Sequence, residues 1–111
     1  MDREPVVAGQ FYPAGAKQLS AEVTRFLSLA ARRPDKPSLV AMTPHAGYVF
    51  SGGVTGKTLG EASLAPTVIL LGPNHTGMGR PLALWPEGRW NFPGGSLAVD
   101  TELATALLKS G

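Results

Sequence analysis

Cysteine is absent from this chain of 111 residues. Its absence removes disulfides, thiolate metal ligands and cysteine nucleophiles, and it fits a reducing, cytoplasmic setting. Long apolar runs are missing as well. No stretch approaches the roughly 18 consecutive apolar residues of a membrane span, and Met1 to Pro5 carries no apolar signal-peptide core. Charge is sparse, at 16% of residues, and nearly balanced, with ten Lys plus Arg against eight Asp plus Glu. A disordered chain needs the opposite composition. A nucleic-acid footprint needs a basic stripe, and here only Arg32, Arg33 and Lys36 cluster. Neither a membrane nor a nucleic acid is therefore expected as a partner.

What remains is a chain that is 43% hydrophobic, with 14 Gly and 10 Pro. The Gly and Pro are not periodic, so they mark turns rather than a fibrous repeat. The length suits one domain, 1–111. After an extended N-terminal stretch, the spacing of Leu19, Val23, Phe26, Leu27 and Ala30 predicts a helix over about 16–33. Arg32 and Arg33 would sit at its negative end, and Pro34 and Pro37 would stop it. The apolar run 38–42 reads as a buried strand. Ser51 can cap a second helix over about 52–63. Gly52, Gly56 and Gly60 share one face of that helix, which predicts close packing on a sheet. Residues 67–71, TVILL, are the strongest strand signal, bounded by Pro66 and Gly72. A strand at 82–85, a turn at 86–88, a segment with alternating Trp90 and Phe92, and a turn at 93–95 follow. Trp85, Trp90 and Phe92 read as sheet core. Asp100 or Thr101 can cap a last helix.

Strand, helix, strand is a βαβ unit, whose strands run parallel through a right-handed crossover. Their carboxyl ends then share one sheet edge, about 4.8 Å apart if adjacent, where open α/β sheets bind ligands. Both histidines, His45 and His75, lie two to four residues past those ends. They are expected in one crevice, where two converging imidazoles are a natural start for a metal site, against the plainer reading of loop histidines that only bond backbone. Two ligands fall short of the usual three. A carboxylate would complete a two-His-one-carboxylate set, but none of Asp2, Glu4, Asp35, Glu61, Glu87, Asp100 and Glu102 has a ligand's spacing. Tyr48 could donate a hydrogen bond in the crevice or simply pack beside the loop. Asn74 could orient His75 or bond its own turn. Residues 51–58, SGGVTGKT, mimic a phosphate-binding loop, but Ser51 stands where that motif needs Gly. A packing helix with an exposed Lys57 is the better reading.

Four ordered stretches, PVVAGQFYP, PHAGYVFSG, VILLGPNHTGMGR and LALWPEG, resemble the Memo family. The resemblance runs from Pro5 to the end of the chain. It implies an α/β three-layer sandwich around a mostly parallel sheet, similar to LigB-type class III extradiol dioxygenases, which are non-haem iron enzymes. It implies that His45 and His75 occupy metal-site positions and that Phe11 lines the same vestibule. It further implies company with radical-SAM and AMMECR-type proteins. Typical members are more than twice as long, so the chain is similar to the N-terminal portion of the fold. A further His and an acidic residue or Cys would come from the rest. A sheet edge and apolar helix faces should then stand uncovered, and the chain, if it is a complete product, is expected to form homo-oligomers. Two functions are open: a dioxygenase-like metal site, or a crevice that binds a small molecule or peptide without chemistry.

Overall fold

The computed structural model describes the whole chain, Met1–Gly111. Its elements, in order, are helix α1 (Ala16–Leu27), helix α2 (Tyr48–Gly60), strand β1 (Arg89–Phe92), strand β2 (Gly95–Ala98) and helix α3 (Thr101–Ser110). The class is α/β. The one sheet is the antiparallel β1–β2 hairpin, in which Arg89 pairs with Ala98 and Phe92 with Gly95.

Helix α1 begins where periodicity places it but ends at Leu27, six residues before Arg33. Ser28 Oγ donates to the Arg25 carbonyl, and Leu29 N–H and Ala30 N–H bond three residues back. The last turn thus tightens and releases the chain. Arg32 and Arg33 consequently lie outside the helix, and Arg25 is the cation of its final turn. Helix α2 starts earlier than expected, because the Gly47 carbonyl already accepts Phe50 and Ser51 N–H. Ser51 is therefore inside the helix and is not its cap.

The glycine face of α2 is used for close approach, but against α1 rather than a sheet. A Cβ on Gly52 would stand 2.6 Å from the Phe26 ring, and one on Gly60 2.7 Å from Ala30 Cβ. A Cβ on Gly56 would run into the Phe26 backbone carbonyl. Glu61 fastens the far end of the pair by accepting Ala31 N–H at 2.8 Å.

The hairpin follows from local chemistry. Pro93 and Gly94 make its two-residue turn, with Gly94 at φ +94°, a conformation that favours glycine. Trp90 pairs with Leu97 and carries the Arg3 guanidinium 4.4 Å from its ring centre. Arg3 also exchanges backbone bonds with Arg89 and Asn91, so the N-terminal segment lies alongside β1. Asp100 caps α3 by accepting Leu103 N–H at 2.9 Å.

Three expected strands do not form. Residues 38–42, 67–71 and 82–85 are outside any ladder, so no mostly parallel sheet is present. Parallel strands are stable when both faces are covered. Here Leu39 is 98% exposed and Leu71 87% exposed. The first segment is tied only at its start, where Ser38 and Ser63 exchange two hydrogen bonds. The segment 82–85 has no partner strand either, and Trp85 instead donates to the Met1 carbonyl at 3.2 Å.

Candidate functional site

The two extended segments still end side by side. His45 Nε2 and His75 Nε2 stand 3.0 Å apart, with ring centroids separated by 5.1 Å and planes inclined at 35°. Neutral rings at that distance make one N–H···N bond, one donating and one accepting. The same separation matches two imidazoles on one ion. With metal–nitrogen bonds of about 2.1 Å and a right angle between them, the nitrogens lie about 3 Å apart. The pair thus fits two adjacent positions of a divalent metal. No cluster of three or more His, Cys, Asp or Glu suited to a metal exists in the structure.

Each histidine rides on a loop fastened by side chains. Asn74 binds its own turn: its Oδ1 accepts Gly77 N–H at 3.0 Å and its Nδ2 donates to the Met78 carbonyl at 3.1 Å. Asn74 thereby bonds the backbone of the turn that follows His75. The His45 loop is held from α2. Ser51 Oγ donates to the Ala46 carbonyl at 2.8 Å, with a longer contact to Gly47, and Thr55 Oγ1 donates to the Pro44 carbonyl at 3.3 Å.

Phe11 and Tyr48 do converge with His45. All three line one largely apolar cavity of about 320 Å³ between the N-terminal segment, α1 and α2. The Phe11 carbonyl accepts Tyr48 N–H at 2.8 Å, which draws the N-terminal turn against the start of α2. The Tyr48 ring packs between Tyr12, at 5.7 Å, and Phe26, edge-on at 5.9 Å. Burial raises its hydroxyl pKa above the ordinary value, and Tyr12 and Glu22 add to the rise. Tyr48 therefore keeps its proton at neutral pH and can donate but not act as a base. Residues 51–58 lie wholly within α2, with Lys57 on an exposed face. They form no phosphate-cradling loop.

Sequence reasoning gave Tyr12 and Thr55 no part in the site and read Ser51 only as a helix cap and as a mismatch to a phosphate-binding loop. Ser51 and Thr55 carried a legible signal, since hydroxyls four apart on a helix face the same side.

A family model described as Memo-like protein matches residues 3–111. A MEMO1 family protein of Pyrococcus horikoshii is 41% identical over 112 residues, covering 98% of this chain and 38% of that protein. Another, from Methanopyrus kandleri, is 41% identical over 120 residues, covering 98% and 42% respectively. A third, from Methanosarcina acetivorans, is 44% identical over 109 residues, covering 97% and 40%. The chain spans about two-fifths of the length of these curated relatives. No solved structure matches it.

Proposed function

The chain belongs to the Memo-like protein family, and from that premise we propose that it contributes His45 and His75 to a divalent-metal site of the non-haem Fe(II), dioxygenase-like kind. The observation that carries this reading is the 3.0 Å approach of the two Nε2 atoms. The family match supports it in that the matched span, residues 3–111, includes both histidines. In the three-layer arrangement we propose for the family fold, segments 38–42 and 67–71 pair in parallel and aim both loops at one edge.

A bound divalent ion would supply a Lewis acid and a template for a small-molecule ligand. The chain's own residues supply the rest. His45 and His75 hold two positions through neutral Nε2 atoms. Phe11, half exposed, lines the apolar cavity that also reaches His45. Tyr48, with its raised hydroxyl pKa, offers a hydrogen-bond donor that keeps its proton at neutral pH.

A second reading, a binding surface without chemistry, is favoured by the apolar cavity beside His45. Metal analysis separates the two. After incubation with Fe(II) under anaerobic conditions, the chain should retain metal, and His45→Ala and His75→Ala should each retain much less. Equal metal content in the wild type and the double variant would remove the metal reading and leave the binding surface.

A further inference from the structure

Residues 43–46, which present the His45 ring, make no backbone–backbone hydrogen bond. Their only backbone hydrogen bonds come from two hydroxyls of α2. Thr55 Oγ1 donates to the Pro44 carbonyl at 3.3 Å, on the N-terminal side of His45, and Ser51 Oγ donates to the Ala46 carbonyl at 2.8 Å, on its C-terminal side. Ser51 is 6% exposed, so its hydroxyl is one of the few polar groups in the molecule removed from water. Ser51 and Thr55 lie one helical turn apart on the same face. Helix α2 is in turn fixed against α1 by the close approach of Gly52, Gly56 and Gly60 to Phe26 and Ala30. A rigid helix thus grips the Pro44–His45 peptide plane on one side of the imidazole-bearing residue and the Ala46–Gly47 plane, one residue further on, on the other.

We propose that Ser51 and Thr55 are positioning residues that set the direction of the His45 imidazole toward His75. The proposal deepens the metal reading above and rests on it for the affinity arm of its test, but its geometric content stands without metal. Neither hydroxyl hydrogen-bonds the ring, whose Nε2 faces His75. Each acts through the carbonyl it holds, in the way that outer partners orient a ligand. The His75 loop needs no such grip, because Asn74 closes its turn locally.

The test uses the full chain and two readouts. The first is imidazole NMR of the metal-free protein, where His75→Ala identifies the His45 signals that depend on the neighbouring ring. The second is titration with Co(II), followed by its visible absorption. Thr55→Val removes one donor at nearly constant shape, and Thr55→Ser restores it. Ser51→Ala and Ser51→Thr form the matching pair at the buried position. Circular dichroism shows whether α1 and α2 are retained. The removal variants should shift or broaden the His45 imidazole signals and weaken Co(II) binding about tenfold, the scale of losing an outer partner of a ligand. Thr55→Ser should return both to wild-type values. Should Ser51→Ala unfold, the Thr55 pair decides the matter alone. Unchanged imidazole signals in folded Thr55→Val and Ser51→Ala would overturn the proposal. If His45→Ala leaves Co(II) affinity unchanged, the metal reading fails separately, and the imidazole arm still decides whether the hydroxyls position the ring.

Discussion

A methyl group added at Gly56 would enter the space of the Phe26 backbone carbonyl, which belongs to a helix and cannot rotate aside. A methyl added at Gly53 would meet only Leu29 Cδ1, at 3.9 Å. The same substitution should therefore have opposite signs three residues apart. Gly56→Ala should destabilise the chain by about 1–3 kcal/mol through overpacking. Gly53→Ala should stabilise it by up to about 1 kcal/mol, because alanine favours the helix and restricts the unfolded chain. Urea titration followed by helix signal checks both. A Gly56→Ala chain as stable as the wild type would show that α1 and α2 separate easily and that the glycine face does not set their spacing. The face itself was legible from the i, i+4, i+8 pattern. The partner was not, since a stripe of glycines says that something comes close and not what.

Helices α1 and α2 are joined a second time at Glu61, and this joint is sensitive to pH. The Glu61 carboxyl is held below its ordinary value of 4.5, first by Ala31 N–H donation, then by the charges of Lys57 and Arg32, with burial opposing. A carboxylate with a depressed folded-state pKa binds fewer protons folded than unfolded. Its contribution is fully present above the unfolded value and is lost as pH falls through the folded one. The helix pair should therefore loosen below pH 4.5, and Glu61→Gln should flatten that part of the stability profile while leaving neutral pH less affected. Thermal melts of both proteins across the acid range measure it, and parallel profiles for the two would reject the role. Legibility at this scale follows the reach of the signal. Asp100, Pro93–Gly94 and the Leu19–Phe26 face act within a turn or two, and each produced its element. The strand readings at 38–42 and 67–71 depended on neighbours across a sheet, which no local pattern supplies. The endpoints of those segments were informative all the same, because Thr43–Gly47 and Pro73–Gly77 deliver His45 and His75 to one place.

At the scale of the whole molecule, burial is scarce. Only Leu19, Ser51, Gly52, Gly56 and Ala104 are shielded from solvent. The radius of gyration, 15.2 Å, exceeds the roughly 13 Å usual for a compact chain of about this length. The exposed apolar residues are grouped in the chain: Leu39, Val40 and Met42 in one segment, Val49, Phe50 and Val54 along α2, and Val68, Ile69, Leu70 and Leu71 in another. Each segment is extended or helical, and the extended ones present unpaired backbone groups beside bare side chains, the combination that draws further polypeptide onto a strand edge. Charge offers little resistance, since a net +2 gives weak mutual repulsion between copies. The chain in isolation should therefore self-associate, its weight-average mass rising with concentration in sedimentation equilibrium. A charge placed in an extended segment, as in Val40→Lys or Leu70→Lys, should lower that mass while helix content is retained, because neither residue contributes to the α1–α2 contact. Added salt should strengthen association, since it screens the residual repulsion and leaves apolar contacts in place. A mass that stays at 11.6 kDa across the accessible range would mean that segments 38–42 and 67–71 find cover within the chain itself, as they would by pairing into the parallel sheet.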